Sequence, residues 1–281
     1  MRRRALTSPC KSDIITAFLT NRPTFCIGGY SMHRKEISLL CRAAQLILEN
    51  GGETYRVEET ALRMAKGFGL SGVNIAAFTT SIFVEADGVM RVVRISKRGT
   101  NVSRLERVND VSRRVERGEL SAQEAGDALE AIAESRGFSQ GTMILACGLA
   151  AACFSLPYGA GLGAFAVTFV LGMLAQAVQP LFSRMAMGAL FGNFAGGFLT
   201  ASLAHAAAAI VPYAGVNAAI AGGITPLLSG LLMTTAMRDT MYGDLISGIT
   251  RAVEALLLAA SVALGVYVGL KTVSMMGGIL L

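Results

Sequence analysis

Between Arg34 and about Asn50, apolar Ile37, Leu40, Cys41, Ala44, Ile47 and Leu48 recur at three- and four-residue steps, the period of an amphipathic helix with one buried stripe. Asn50-Gly51-Gly52 stops it. A second helix is expected from Glu53 or Thr54 to about Lys66, with Val57, Ala61, Met64 and Ala65 inward and Gly67 as its terminator, which makes a helical hairpin. Residues 73–85 and 89–97 are then rich in β-branched and aromatic residues and are joined by Asp87-Gly88, a turn pair that predicts a two-stranded hairpin. Arg91 and Arg94 mark expected exposed positions on the second strand, where alternation breaks at Val92-Val93. Two further helices follow at about 101–117 and 121–136, the latter opened by Ser121-Ala122-Gln123-Glu124, a capping box. Beyond residue 139 the polar face disappears. Apolar segments at about 140–157, 159–179, 186–210, 213–236 and 244–270 each approach the ~20 residues that cross a ~30 Å hydrocarbon layer.

Composition sharpens this division. Of the 281 residues 53% are hydrophobic and only 16% charged, with a mean hydropathy of +0.53, too little charge for a fully solvated surface. Residues 139–281 hold only Arg184, Arg238, Asp239, Asp244, Arg251, Glu254 and Lys271 among charged side chains. The expected fold is therefore a membrane α-helical protein, with an N-terminal soluble α+β domain followed by about five transmembrane helices. Residues 1–33 form a basic flexible tail, 34–138 the soluble domain and 139–281 the transmembrane domain.

The basic excess lies in the first half, and Arg184, Arg238 and Arg251 sit in the connections that would share its side, whereas the other two turns carry none. This predicts a multi-pass membrane protein with its N-terminal domain cytoplasmic, Lys271 being the one dissenting residue. A net charge of +6 is too dilute to argue for nucleic acid. Cys10, Cys26, Cys41, Cys147 and Cys153 form no paired framework and no metal motif, so neither disulfides nor zinc are indicated. Met1-Arg2-Arg3-Arg4 begins like a signal peptide, but the apolar run Ile14 to Leu19 is short and no cleavage site follows. Gly188, Gly192 and Gly196, and Gly265 and Gly269, give faces for close helix packing, within the chain or in a homo-oligomer.

Formal motifs fail on context. Gly67-Phe68-Gly69-Leu70-Ser71-Gly72 matches a dinucleotide turn but follows a helix and precedes a strand, the reverse of the required order. There is no nucleotide loop, and His33 and His205 lie in no acid–base constellation, so no cofactor and no enzyme chemistry are expected. The informative stretch is 225–255. Pro226 and Gly230 are placed to break the fourth segment and free backbone groups for a small polar solute, with Asn193 and Asn217 as neighbouring amides. Arg238, Asp239, Asp244, Ser247, Arg251 and Glu254 follow, and from Asp244 onward they fall at helical steps as one polar stripe. Charges at membrane depth cost roughly 2.5–3.5 kcal/mol each, so such a cluster is paired, wet or functional. In the first half Glu53, Tyr55, Arg56, Glu58 and Glu59 crowd the start of the second helix, where acids suit the helix dipole.

Glu53-Thr54-Tyr55-Arg56-Val57-Glu58-Glu59-Thr60, and the later succession Pro226, Gly230, Arg238-Asp239, Gly243-Asp244, Ser247-Gly248, Arg251, Glu254-Ala255, resemble the threonine/serine exporter family of bacterial membrane proteins over about residues 34–270. The resemblance implies secondary export, driven by an ion gradient, of a small hydrophilic metabolite: threonine or serine in named members, a dicarboxylate in a related two-subunit branch. Full-length members carry a second membrane unit, so the resemblance implies the larger subunit of a split exporter with a small integral-membrane partner. The chain departs from the family in having Ser229-Gly230 where Pro-Gly is frequent and Thr235 where Asn is frequent. Arg238, Asp239, Asp244 and Arg251 are the expected gating or binding residues. The rival expectation is a membrane-anchored sensor or scaffold whose first domain binds a ligand or partner.

Overall fold

The computed structural model describes residues 24–27, 33–135, 137–184, 188–210 and 215–277. The chain divides into two units, residues 1–136 with 235–250, and residues 137–234 with 251–281. The return of 235–250 to the first unit is the main departure from a simple cut near residue 138.

In the first unit, α1 (Arg34–Glu49) and α2 (Thr54–Gly67) pack against β2 (Asn74–Phe78), β3 (Ser81–Ala86), β4 (Val89–Arg94), α3 (Val102–Glu116) and α4 (Ala122–Glu134). Leu40, Leu48, Val57, Met64, Ile82, Val93, Val108 and Leu129 form its dry centre. The stretch 73–85 is two strands, not one: Thr79-Thr80 turns the chain, and β2 and β3 pair antiparallel from Asn74↔Glu85 to Phe78↔Ser81. Asp87 and Gly88, at φ 50° and 70°, make the expected tight turn into β4. Most of the tail expected over 1–33 lies outside the described residues. Within it, however, Thr24–Ile27 is a strand, β1, which completes the sheet order β1-β4-β3-β2 by pairing antiparallel with β4.

Alternation along β4 is intact, and it puts Arg91 on the inner face with Val89 and Val93, correcting its expected exposure. Its long stem fills space there, and its guanidinium donates to Ser38 Oγ and to the Arg34 carbonyl. Arg94 is exposed as expected. Helix α4 starts with the capping box, the Ser121 N–H donating to the Glu124 carboxylate at 2.9 Å and holding that acid below its ordinary pKa. Gly67 is the last helical residue of α2 and is glycine for a packing reason, because a Cβ there would strike the Val115 carbonyl of α3, whereas the left-handed residue that stops the helix is Gly69, at φ 70°.

The second unit is helical: α5 (Gln140–Ser155), α6 (Leu162–Arg184), α7 (Gly188–Ile210), α8 (Val216–Ile224), the start of α9 (Gly230–Met241), and α10 (Leu245–Gly277) from Arg251 on. Glycines set its close approaches. A Cβ on Gly148 would lie 2.8 Å from the Phe169 carbonyl of α6, one on Gly222 2.7 Å from the Ala151 carbonyl of α5, and one on Gly269 2.8 Å from the Phe198 carbonyl of α7. Outward, large apolar side chains such as Leu256, Leu257, Leu264 and Tyr267 stay exposed, the signature of a lipid-facing surface on helices of this length.

Three described helices are long and apolar enough to cross a membrane, Gln140–Tyr158, Leu162–Phe182 and Leu245–Met275. The fourth expected segment is broken, since Val216–Leu227 and Gly230–Met241 meet at 53°, and together they supply a fourth crossing when counted as one. Helix α7 has 23 residues but carries Asn193 and His205 among its apolar positions, so among the described residues three spans, or four with the bent pair counted as one, meet the criterion of length and composition.

Gly265→Ala is expected to destabilise the second unit by about 1–3 kcal/mol, because the new methyl would strike the Phe194 carbonyl and helix backbones yield little. Gly161→Ala, with open space at its Cβ, is expected to change stability by less than about 0.5 kcal/mol. Thermal unfolding of the two variants in the same detergent compares them directly.

Candidate functional site: a carboxylate interlock at the start of α2

A helix leaves its first four N–H groups without intrahelical partners and carries positive potential at that end. At α2 the N-cap residue is Glu53, whose side chain makes no capping bond. The partner comes from 185 residues further along. Asp239 Oδ1 accepts from the Thr54 N–H at 3.1 Å and from the Thr54 hydroxyl at 3.0 Å, and Asp244 Oδ2 lies 2.6 Å from the same hydroxyl. Asp239 and Thr54 are fully buried.

The geometry that delivers both carboxylates is local. Arg238 and Asp239 lie on the last turns of α9, Gly243 at φ 96° reverses the chain, and the Asp244 N–H closes onto the Asp239 carbonyl at 2.9 Å. Gly248 then lets the start of α10 lie directly against α9, since a Cβ there would meet Thr240 Oγ1 and sit 2.9 Å from the Ala236 carbonyl. Glu53 does not serve as a cap and instead binds two guanidiniums, Arg238 at 2.6 Å and Arg56 at 3.2 Å. Glu53 is buried whereas the Arg238 side chain is 49% exposed, so the pair has one buried and one solvent-facing end. Tyr55 stacks on Tyr242 with ring centroids 4.1 Å apart and planes within 13°, a contact worth about 0.5–1.5 kcal/mol beyond its area.

The three acids of the sequence motif thus have three separate tasks. Glu53 joins the interlock, Glu59 forms an exposed pair with Arg63 at 2.5 Å, and Glu58 accepts the Ala77 N–H of β2 at 2.9 Å. Burial pushes the Glu58 carboxyl above its ordinary pKa, the Ala77 N–H opposes this, and Asp244 adds to it. The Tyr55 hydroxyl, and then Glu53, reinforce the positive charge on Arg56.

Glu53, Tyr55, Arg56, Arg238, Asp239 and Asp244 are therefore brought together, with Glu58 beside them. Ser247 and Arg251 are buried and Glu254 is half-buried, so the polar stripe of α10 faces inward. In the second unit Pro226 lies in a single 3₁₀ turn, Thr225–Leu227, and Gly230 opens α9 after it. Asn193 reaches this break, donating to the Leu227 carbonyl at 3.4 Å, whereas Asn217 lies exposed on the first turn of α8. Sequence reasoning passes over Thr54, Tyr242 and Gln179, the last of which donates to Asn193 Oδ1 at 2.8 Å. Thr54 and Tyr242 adjoin residues already singled out, which is the signal that points to them. Among the described residues no group of three or more His, Cys, Asp or Glu side chains is placed to hold a metal ion.

The family model described as "Putative threonine/serine exporter" matches residues 38–273. The chain belongs to the threonine/serine exporter family. A "Probable threonine/serine exporter" of Mycobacterium tuberculosis is 28% identical, covering 87% of this chain and 47% of that protein. A "Threonine/serine exporter" of Corynebacterium glutamicum is 24% identical over 84% of this chain and 50% of its own length. The chain spans about half the length of these two relatives. A "Probable succinate transporter subunit YjjP" of Klebsiella aerogenes is 21% identical over 83% of this chain and 92% of that protein. No solved structure matches the chain. This member of the threonine/serine exporter family is thus a membrane protein of a transport family, and the interlock joins its two most distinctive stretches.

Thr54→Val, which keeps the shape and removes the hydroxyl facing two carboxylates, is expected to lower stability by about 1.5–3 kcal/mol, with Thr54→Ser recovering most of it. Chemical unfolding of the full chain measures both. The raised Glu58 carboxyl means that the native state holds its proton more tightly than the unfolded chain does. Its contribution to folding is complete below the unfolded pKa and is lost as pH rises through the native one. Glu58→Gln is expected to flatten that slope in unfolding midpoints recorded between about pH 4 and 7.

Proposed function

We propose that the chain is a subunit of a bacterial inner-membrane secondary exporter of small hydrophilic metabolites, threonine and serine or a dicarboxylate such as succinate, working with a small integral-membrane partner. The observation that carries this reading is the interlock, in which the amino end of α2 is bound by charged side chains and an aromatic from the α9–α10 turn. The names of the relatives supply the substrate candidates, and the YjjP relative, described as a subunit and covered over 92% of its length, supports the two-protein arrangement.

The first unit is the cytoplasmic one in this scheme, supported by its basic excess and by the arginines at 238 and 251. The membrane helices are α5, α6, α7, the bent α8–α9 pair and α10. Arg238 and Glu53 act as the gate: solvent screens an ion pair that has an exposed end, so a solute bearing its own carboxylate or ammonium competes for it at small cost. Asp239 and Asp244 hold the turn in register, and Ser247, Arg251 and Glu254 extend the polar face of α10.

Cells preloaded with threonine, serine or succinate are expected to release one of them only when this chain and a small membrane protein encoded beside it are both present. Arg238→Ala is expected to lower that efflux by about tenfold or more with insertion unchanged. The charge exchange Glu53→Arg with Arg238→Glu is expected to restore part of it. No efflux of any solute, with both proteins inserted, would favour a membrane-anchored sensor or scaffold.

A further inference from the structure

The second unit contains a polar cluster that the interlock does not use. Gln179 sits on α6 next to Pro180, whose missing N–H leaves the Gln176 carbonyl without its usual intrahelical donor. The Gln179 amide donates to Asn193 Oδ1 on α7 at 2.8 Å, and Asn193 in turn donates to the Leu227 carbonyl at the break before α9 at 3.4 Å. Gly192 faces the Gln179 amide so closely that a Cβ would strike Oε1, so this glycine reserves the room in which the amide lies. Three irregularities, a proline in α6, a glycine in α7 and the bent pair α8–α9, therefore meet at one pair of amides.

Two features set this cluster apart from ordinary interhelical packing. First, its last bond is at the outer limit of hydrogen-bond length, so it is the one most readily exchanged for a ligand atom. Second, the cluster is under-used. Each amide nitrogen carries two hydrogens and each carbonyl oxygen two lone pairs, whereas these two hydrogen bonds engage one hydrogen of each amide and one lone pair of Asn193. Spare polar capacity of this kind beside a helix break is open to a ligand atom, and discontinuous helices at membrane depth characteristically supply solute sites.

We propose that Gln179, Asn193 and the Leu227 carbonyl form the solute-binding site of the membrane helices, with Gly192 as the residue that positions Gln179. The inference rests on the exporter reading above and adds to it the residues that touch the solute. The site offers uncharged donors and acceptors side by side, so it suits a small solute that presents both, such as a hydroxyl or ammonium next to a carboxylate.

The test uses the full chain with its neighbouring membrane protein in cells and in lipid vesicles. A Gln179→Cys variant is treated with a membrane-impermeant thiol reagent, and the modified peptide is quantified by mass spectrometry with and without L-threonine, L-serine and succinate. Modification at position 179, slowed about threefold or more by the solute that the cells export, is the expected result. Gln179→Leu and Gly192→Ala are expected to lower efflux about tenfold with insertion unchanged, and Gln179→Asn to retain more than Gln179→Leu. An unmodified Cys at 179, modification that the exported solute does not slow, or wild-type efflux from Gln179→Leu would each overturn the site even with efflux intact. Absence of efflux from the wild-type pair would instead overturn the exporter reading itself.

Discussion

A buried carboxylate has to be bound by hydrogen-bond donors or positive charge, because moving it out of water uncompensated costs several kcal/mol. Asp239 is fully buried, and the donors that face it include the N–H and the hydroxyl of Thr54 at the positive end of α2. Much of the first unit follows from that constraint. The α9–α10 turn must stay where α2 begins, which is why residues 235–250 belong with a fold that otherwise ends near residue 136. The Thr54 hydroxyl faces oxygens of both Asp239 and Asp244 and its one hydrogen serves one of them at a time, while the Thr54 N–H binds Asp239, so the turn is held at its Asp239 end. Glu53–Arg238 and Tyr55–Tyr242 then add specificity at a join whose position is already determined.

The second unit obeys a different constraint. Its helices have little polar side-chain chemistry, and between apolar surfaces in lipid there is no hydrophobic gain in association, so close backbone contact has to supply the attraction. Glycines at 148, 172, 197, 222, 265 and 269 each bring another helix's backbone or Cβ into the space a side chain would occupy. The core clusters there are correspondingly small, Leu171 with Ala201, Ala204, Ala219 and Ile220 in one and Ala175 with Leu227 and Val262 in another. A unit held by fitted backbones tolerates few substitutions at its glycines but leaves the outer apolar face free to vary.

Legibility from sequence tracks the range of the interaction that decides each feature. Helix α1, the Asp87-Gly88 turn and the Ser121 capping box depend on residues a few positions apart, and all are readable. The Thr79-Thr80 turn is not, because a run of β-formers such as 73–85 hides a reversal that contains no glycine, proline or Asx residue. Arg91 is misread for a related reason: the period-two pattern assigns it to the inner face, but its charge argues for solvent, and the contacts with Ser38 and Arg34 that accommodate it come from 53 and 57 residues away. The polar stretch 238–254 and the motif at 53–59 are each conspicuous, yet that Asp239 binds Thr54 is a contact over 185 residues that no local pattern encodes.

The break in the fourth membrane segment shows how a local signal acquires meaning only through packing. Pro226 removes one donor, and Ser229-Gly230 replaces the Pro-Gly expected from the family, yet the bend still reaches 53°. A second proline is therefore not required. The 3₁₀ turn Thr225–Leu227 ends at an extended Leu228, ψ 126°, which by itself takes the chain out of helical geometry before α9 begins. What stabilises that conformation is outside the segment: Asn193 binds the Leu227 carbonyl, and the Leu227 side chain packs onto Gly196, with Cδ1 2.9 Å from where a Cβ would stand. The bend is thus set jointly by its own sequence and by one face of α7, and a change at Asn193 or Gly196 acts on the break as directly as a change within it.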